Sequence, residues 1–333
     1  MFKTAEAVSI GHPDKTADYI SSYILDRLIE QDPKVRYAVE VMIKDNTVIL
    51  AGETSLKPDK ETLDKYVREA LAAIGYDERY HQIWGDKAID INRIQVIDLI
   101  GAQSAEIAAG VNQNGWGDQG VFVGYACQGE GHINRELFLA RKLNRALYNR
   151  ARESENLGLD IKTQITIKEN GHIQTAVVAI PMLHKEDLND IIVAALGEMP
   201  NEIIINGTGI YQTHSSIADS GVTGRKLACD FYSAACPIGG GSPWTKDPTK
   251  ADLSLNLYAR KMAVENLGDN DECLVYLSSC IGKSRLPSCV IRQIKNGKVM
   301  EKSIFCDLKP EAVIEELGLN RPIYAHLCLS GII

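Results

Sequence analysis

The sequence predicts an α+β protein built from three similar domains, each a β-sheet covered by helices. Three observations support this. The order helix, β-hairpin, helix occurs three times along the 333 residues. The turns of the three predicted hairpins, at residues 45–46, 170–171 and 296–297, lie 125 and 126 residues apart, as expected of an internal repeat. The composition, 45% hydrophobic and 24% charged, suits several globular domains. Side-chain identity hardly repeats, so an ordinary mixture of helices and hairpins is the alternative.

The first unit is read from residues 13–75. A helix is predicted over residues 13–31, because a proline opens it and apolar residues recur on one face. Alternating apolar residues over 35–43, and a β-prone run over 47–53, predict a hairpin that turns at Asp45-Asn46. A second amphipathic helix follows and closes on Gly75, which suits a helix C-terminus.

The second and third units repeat this order. The second comprises a helix through residues 137–147, a hairpin over 161–180 and a helix over 185–196. The third comprises a helix over 251–267, strands that turn at 296–297 and a short helix over 310–317. We therefore expect domains at residues 1–100, 101–208 and 209–333, with exchange of segments between them allowed.

Charge and composition exclude several function classes. The net charge of −8 and the pI near 5.5 argue against broad nucleic-acid or membrane binding, since both need basic surfaces. The N-terminus lacks a signal pattern and no run of apolar residues is long enough to span a bilayer, so we expect a cytoplasmic protein. The eight cysteines form no CxxC pair and are interpreted as reduced core residues.

The run Gly11-His12-Pro13-Asp14-Lys15 stands at the start of the first predicted helix. The free backbone N–H groups at a helix N-terminus attract phosphate, and Asp14 would be placed to hold a metal. Each residue alone has an ordinary explanation, because an aspartate in a first turn complements the helix dipole and a lone histidine is usually structural. The combination is what indicates a site.

Two carboxylates are predicted on one face of the first hairpin. A two-residue turn at Asp45-Asn46 pairs Glu40 with Ala51 and Glu53 with Ala38, so Glu40 and Glu53 become diagonal neighbours. Such a pair is suited to bind a cation, although carboxylates on the polar face of a strand are also common.

Glycine-rich and cationic segments supply further candidates. Residues 115–120 form a glycine-rich loop that contains Asp118, and Gly224-Arg225-Lys226 places two cations beside a glycine. Residues 239–247 precede the first helix of the third unit and suit a phosphate cradle, but match neither a P-loop nor a dinucleotide fingerprint. Lys162 lies on the polar face of a strand, where solvation alone would explain it.

The segments GHPDKTADYISSYILDRLIEQDPK, GDQG, GVTGRK and GGG…KDPTKADLS occur in this order. Together they resemble methionine adenosyltransferases, also called S-adenosylmethionine synthetases, along nearly the whole chain. The resemblance implies three α+β domains related by pseudo-threefold symmetry. It also implies displacement of tripolyphosphate from C5′ of ATP by the sulfur of L-methionine, followed by hydrolysis of the tripolyphosphate to pyrophosphate and phosphate.

The resemblance assigns roles residue by residue. Catalytic positions are His12, Asp118, Lys162, Arg225, Lys226 and Lys246. ATP-binding positions are His12, Lys162, Tyr211, Asp219, Arg225, Lys226, Lys246 and, by a loose alignment, Ile281. Methionine-binding positions are Glu53, Gln103, Asp118 and Lys250. Two Mg²⁺ ions per site are expected at Asp14 and Asp252, and K⁺ at Glu40. A homodimer or a dimer of dimers, with sites at the subunit interface, is also implied.

Some segments depart from the family pattern and leave two alternatives. Trp116 replaces a small residue, residues 214–218 replace a glycine-rich run, and the chain between Gln103 and Asp118 is shorter than usual. One alternative is a non-catalytic regulatory paralogue, against which the retained cations and aspartates argue. The other is an enzyme of the same fold that accepts another nucleophile, admitted by the loop containing Trp116.

Overall fold

The computed structural model describes residues 2–102 and 115–332, and within these ranges the chain forms three four-stranded sheets with helices packed against them. The α+β class expected from the sequence is confirmed. The strands are β1 (Phe2–Val8), β2 (Tyr37–Lys44), β3 (Thr47–Thr54), β4 (Gln95–Ala102), β5 (Gly120–Cys127), β6 (Lys162–Lys168), β7 (Ile173–Ala179), β8 (Glu202–Ile205), β9 (Gly221–Val222), β10 (Glu272–Ser279), β11 (Ser288–Lys295) and β12 (Lys298–Ser303).

The helices lie before, between and after the hairpins of these strands. They are α1 (Pro13–Ile29), α2 (Lys60–Ile74), α3 (Glu78–Trp84), α4 (Arg135–Glu153), α5 (Asn189–Leu196), α6 (Ser215–Ala218), α7 (Leu227–Asp230), α8 (Ala251–Glu265), α9 (Pro310–Leu317) and α10 (Tyr324–Ser330). Most of the predicted helices are found close to their expected bounds. The helix expected from residue 185 begins only at Asn189, whose N–H bonds to the Asp187 carboxylate.

The three sheets share a plan. The first has the strand order β4-β3-β2-β9, the second β8-β7-β6-β1 and the third β12-β11-β10-β5. In each, two consecutive strands occupy the middle and a strand distant in sequence pairs with the first of them. Segments of the chain therefore cross between sheets, in agreement with the expected exchange of segments between domains. The domain boundaries near residues 100 and 208 stay a prediction.

All three predicted turns join antiparallel strands. Register in the first hairpin is as expected, with Glu40 opposite Ala51 and Glu53 opposite Ala38. The turns at 45–46 and 170–171 join the middle strands of their sheets, whereas the turn at 296–297 joins β11 to the outer strand β12. The third turn therefore lies at a different place in its sheet, and the even spacing of the turns does not measure the repeat.

Two large apolar cores hold the sheets together in the described part of the chain. The larger one collects side chains from the first and second sheets, from α1, α2 and α4, and from one face of the third sheet. The other face of the third sheet packs with α8 and α9 in a second core. All eight cysteines are free, and seven are buried as the sequence led us to expect, whereas Cys280 is partly exposed.

Candidate active site

The start of α1 is built around His12. Its backbone is extended, Pro13 occupies the first helical turn, and the imidazole Nδ1 accepts the Asp14 N–H at 3.1 Å, which caps the helix. Gly11 is needed just before it, since a Cβ there would lie 2.4 Å from the carbonyl oxygen of Leu159. The side chain of His12 is only 2% exposed. The helix cap thus fixes the orientation of the imidazole.

Asp14 is buried one residue into this helix and joins it to the segment that follows β9. One carboxylate oxygen accepts the Val222 N–H at 2.9 Å and lies 3.4 Å from Nε of Arg225, and the other accepts the Lys226 ammonium. The predicted Gly224-Arg225-Lys226 motif therefore lies directly over the predicted Asp14 site.

Cations surround the imidazole. Burial, together with the positive charges of Lys226, Lys162 and Arg225, lowers the pKa of His12 to about 3, against the opposing charge of Asp219. His12 is therefore neutral at pH 7. Because Nδ1 accepts a hydrogen bond, the remaining proton lies on Nε2, which is left as a donor. Four predicted site residues thus meet around one neutral histidine.

Asp160 belongs to the same cluster, and sequence reasoning missed it. It accepts the Ser215 N–H at 3.1 Å. Burial raises its pKa to about 6, opposed by the charges of Lys162 and Lys226 and reinforced by Asp219. Asp160 lies two residues before Lys162, so in an extended segment both side chains point to one side, and this spacing could have identified it. The cluster therefore contains an acid beside its cations.

Tyr211 and Asp219 flank the cluster. Tyr211 is half-buried and its carbonyl accepts the Met182 N–H, while burial and the nearby Asp160 charge raise the pKa of its phenol. Asp219 is exposed at the end of α6. The predicted ATP-binding residues Tyr211 and Asp219 thus lie in the electrostatic neighbourhood of Asp160 and His12.

The segment between Tyr211 and Asp219, which departs from the family pattern, is anchored by a buried histidine. His214 bonds to the Tyr80 hydroxyl at 2.5 Å and packs edge-on against Trp84. Burial lowers the pKa of His214 to about 4. Ser215 takes a positive φ of 57°, which aims its N–H at Asp160. The unusual residues are therefore structural anchors for the adjoining site.

A second group of predicted residues lies where the loop over 239–247 enters α8. Lys246 forms an ion pair with Asp252. Gly241, with φ +77°, passes so close to Asp252 that a Cβ would lie 2.2 Å from its carboxyl carbon. Only glycine allows this approach.

Lys250 forms an ion pair with a residue that the sequence did not reveal as its partner. Its ammonium lies 2.5 Å from the carboxylate of Asp247, which is fully buried and also accepts the Tyr37 N–H at 2.7 Å. Arg36 lies 3.6 Å from the same carboxylate. Asp247 therefore ties the loop to β2 and holds Lys250 beside it.

Glu40 links the two groups. Its carboxylate accepts the hydroxyl of Thr223, which precedes the Arg225–Lys226 segment, and that of Thr245 at 3.0 Å, which precedes Lys246. The loops also touch directly, because a Cβ on Gly224 would lie 3.0 Å from that of Ser242. The predicted triphosphate cations thus line one continuous region around Asp14 and Asp252.

The predicted methionine residues are less closely gathered. Glu53 pairs with Ala38, which also forms a bridge with Lys246. Asp118 is exposed, and its carbonyl accepts the Ser279 hydroxyl at 2.8 Å. Ile281, 57% exposed, adjoins the same loop. Gln103 lies outside the described residues. The hydrogen bonds of the described residues join Asp118 and Ile281 to the third sheet rather than to His12.

Trp116 anchors the loop that carries Asp118. It is fully buried in the core of the third sheet, its indole N–H donates to the Leu308 carbonyl at 3.0 Å, and its own carbonyl accepts the Gly282 N–H at 2.8 Å. The ring therefore serves to anchor the loop. The alternative of another nucleophile admitted by the loop that contains Trp116 stays a hypothesis.

The carboxylates suit a magnesium ion that is shared with a ligand. Within residues 2–102 and 115–332, no three His, Cys, Asp or Glu side chains form a group that could hold a metal by themselves. Mg²⁺ commonly takes one or two carboxylates and completes its shell with water and substrate phosphates. Asp14 and Asp252, each paired with a lysine that a phosphate would attract, fit that pattern.

The chain matches known proteins over nearly its whole length. Residues 1–105 match the N-terminal domain of S-adenosylmethionine synthetase, and residues 213–333 match its C-terminal domain. The S-adenosylmethionine synthase 2 of Rhodospirillum rubrum is 34% identical over 98% of this chain and 90% of its own length. The S-adenosylmethionine synthase of Parvibaculum lavamentivorans is also 34% identical, over 98% of this chain and 91% of its own.

A solved structure shows the same fold. The unusual S-adenosylmethionine synthetase from Campylobacter jejuni superposes with a TM-score of 0.87 at 30% identity, covering all of this chain and 94% of its own. Among the described residues, no helix is long and apolar enough to cross a membrane.

Proposed function

The chain belongs to the S-adenosylmethionine synthetase family, and from that premise we propose that it is a methionine adenosyltransferase. It converts ATP, L-methionine and water to S-adenosylmethionine, pyrophosphate and phosphate. The observation that carries the proposal is the neutral His12, held by its helix cap among Lys162, Arg225 and Lys226 beside Asp14.

The first step is a displacement at C5′ of ATP. A lone pair of the methionine sulfur forms the S–C5′ bond while the C5′–O bond breaks, and the bond electrons leave on tripolyphosphate. A thioether carries no proton, so the step needs no general base and depends on orientation and charge stabilisation. The Nε2–H of neutral His12 suits a hydrogen bond to the leaving oxygen.

The cations stabilise the negative charge of the leaving group. Lys162, Arg225, Lys226 and Lys246 face the triphosphate in this proposal, and preorganised charges of this kind contribute most when little reorganisation is needed. In a second step water cleaves tripolyphosphate to pyrophosphate and phosphate in the same region. Tyr211 stacks on the adenine, and Asp219, next to Asp160, binds the ribose. Ile281 adjoins the Asp118 loop and would approach the adenine from the second copy proposed below.

Magnesium and potassium have distinct places. Asp14 and Asp252 would each hold one Mg²⁺ that adds positive charge to the triphosphate oxygens. Glu40 would bind K⁺, because its exposed carboxylate stands between two hydroxyl oxygens that are also hard donors.

The Asp14 assignment has a direct test. In Asp14→Asn, activity should fall at least about tenfold at limiting Mg²⁺, because one anionic ligand is lost, and should partly recover as Mg²⁺ is raised. Initial rates over a Mg²⁺ series measure this. Loss of activity that is the same at every Mg²⁺ concentration would contradict a metal role for Asp14.

Methionine would lie towards Glu53, Gln103, Asp118 and Lys250. Its ammonium needs carboxylates and its carboxylate needs a cation, which these residues supply. Among the described residues of a single chain, however, the hydrogen bonds of the Asp118 loop join it to the third sheet and not to the His12 cluster. We therefore propose that a second copy of the chain completes each site, in a homodimer or a dimer of dimers.

The outer face of the first sheet suits that second copy. Met42, Ile49 and Ile97 stand in one cross-strand row, and Leu99 in the next row is 62% exposed. Exposed apolar patches of this kind mark protein interfaces. Glu40 and Glu53 lie on the same two central strands, so an interface here would adjoin the proposed K⁺ and methionine positions.

One assay tests the proposed reaction. The purified chain is incubated with ATP, L-methionine, Mg²⁺ and K⁺, and S-adenosylmethionine and phosphate are measured together. We expect both products in equal amounts. The absence of a sulfonium product under every cation condition would refute the proposal and favour a regulatory, nucleotide-binding role, while product formation only with another thioether would correct the substrate.

A further inference from the structure

A buried ionic network lies beneath the proposed triphosphate site. The ammonium of Lys15 is 2.8 Å from Oδ2 of Asp230 and 3.2 Å from Oδ2 of Asp18. All three side chains are buried, and the Lys15 ammonium lies 4.9 Å above the ring of Trp244. None of these residues is among the groups proposed to contact substrate.

The network reaches three of the segments that carry a triphosphate cation or a metal ligand. Lys15 directly follows Asp14 at the start of α1. Oδ1 of Asp18 accepts the Gly224 N–H at 2.8 Å, just before Arg225 and Lys226. Oδ2 of Asp230 accepts the Trp244 indole N–H at 2.8 Å, two residues before Lys246.

Buried ion pairs are expensive to maintain. Desolvation offsets much of the attraction between the partners, so apolar replacements are often equally stable, and in some proteins such pairs serve to specify one arrangement. Here the network joins three segments that are distant along the chain, in addition to the bonds that Asp14 and Glu40 make between them. The arrangement specified is the one that sets Arg225, Lys226 and Lys246 around Asp14.

We infer that Lys15, Asp18 and Asp230 form a positioning network that holds the triphosphate-binding loops over the start of α1, an inference that rests on the proposed function. Asp18 is its most informative member. It bonds to the backbone of the Arg225–Lys226 loop and does not itself face the ligand.

The same helix supplies a matched control. Asp26 lies two turns after Asp18, is also buried, and its two carboxylate oxygens accept the Tyr324 and Ala325 N–H groups at 2.8 Å each. Asp26→Asn and Asp18→Asn each replace one acceptor oxygen by an amide donor. Both variants should lose unfolding free energy, yet only Asp18→Asn should disturb the site.

The experiment compares wild type, Asp18→Asn and Asp26→Asn as full-length chains. Binding of diimidotriphosphate, a tripolyphosphate analogue that resists hydrolysis, is measured by calorimetry with Mg²⁺, and steady-state kinetics give kcat and KM. For Asp18→Asn we expect roughly tenfold weaker analogue binding and a similar loss in kcat/KM for ATP, the size expected for a lost charged hydrogen bond. KM for methionine should stay unchanged, and Asp26→Asn should match wild type.

The outcomes separate the two proposals. Equal effects of both substitutions on analogue binding would overturn the positioning network, whatever the activity. If wild type forms no sulfonium product, the proposed function is refuted. The comparison of analogue binding between the variants would still test the positioning network.

If Asp18→Asn does not fold, Trp244→Phe replaces it, since it removes one N–H bond to Asp230 and keeps a ring over Lys15. Analogue binding weakened in Trp244→Phe but not in Asp26→Asn would support the network, and unchanged binding would overturn it. Where both variants fold, the double substitution should be less than additive, because the two residues act through shared partners.

Discussion

At the scale of single residues, His12 caps a helix and is also held in its neutral form. Its Nδ1 caps α1 and its neutral state is enforced by burial and by the cations around it. A charged imidazole here would add to the electrostatic stabilisation of a triphosphate but would cost the helix cap its acceptor. The structure thus favours hydrogen-bond donation over charge as the contribution of His12.

This role predicts unequal effects on the two proposed steps. In His12→Asn, sulfonium formation should slow by about a hundredfold or more, the range expected when one preorganised donor to a developing oxyanion is removed. Hydrolysis of added tripolyphosphate should fall much less, because its cations and metals remain. Single-turnover rates of each step provide the measurement. Equal losses in both steps would contradict the assignment of His12 to C–O cleavage.

The pKa of His12 predicts a pH dependence of folding. Its folded pKa of about 3 is below the unfolded value of 6.5, so the unfolded state binds more protons between these values. His12 therefore lowers stability as pH falls below about 6.5, by up to about 1.4 kcal/mol per pH unit. Between pH 7 and pH 5.5, wild type should lose about 1 kcal/mol more unfolding free energy than His12→Asn. Urea titrations at both pH values check this. If wild type and His12→Asn lose the same unfolding free energy, His12 does not contribute to the pH dependence.

The site residues were predictable from sequence to different degrees. His12, Asp14, Arg225 and Lys226 were named from their motifs, and the structure brings them together. Asp247 could not have been named as the partner of Lys250, because its anchor is the backbone of Tyr37, 210 residues away. Contacts of that separation depend on the packing of whole elements, which a local motif does not encode.

At the scale of elements, local signals predicted hairpins and helices well. Two-residue turns and amphipathic periodicity are local, and the β2–β3 register followed from the turn alone. Strands β1 and β9 escaped prediction because their partners are distant: β1 pairs with β6, and β9, only two residues long, pairs with β2. Those pairings decide how the sheets are assembled, and they bring Val222 to Asp14.

The β11–β12 turn provides a test at this scale. Asn296 and Gly297 have φ of 51° and 73°, as a type I′ turn requires, and no heavy atom lies within 4 Å of a Cβ built on Gly297. Gly297→Ala should therefore cost about 1 kcal/mol through backbone strain alone. Gly207→Ala is the matched control, since Gly207 is exposed without a positive φ. Urea unfolding of both variants tests this. If the two variants are equally stable, the positive φ of Gly297 does not stabilise the turn.

At the scale of the whole molecule, the chain exposes the face of a sheet next to half of its proposed site. The cations and aspartates around His12 are assembled within one chain, whereas Asp118 is held by the third sheet. A monomer would thus bind a triphosphate before it could orient methionine. Assembly through the first sheet would bring the two halves together and would make turnover depend on the subunit interface.

This dependence predicts a joint loss of assembly and turnover. Leu99→Asp places a charge in the exposed apolar face, which should disfavour burial against a second copy because an unpaired charge would be desolvated. Val299→Asp on β12 is the control, since Val299 is 56% exposed on a different sheet. Sedimentation velocity should show Leu99→Asp shifted towards monomer, with S-adenosylmethionine synthesis lost in proportion, and Val299→Asp unchanged in both. Diimidotriphosphate binding should survive in the Leu99→Asp monomer, because the His12 cluster belongs to one chain. A fully active Leu99→Asp monomer would show that one copy suffices.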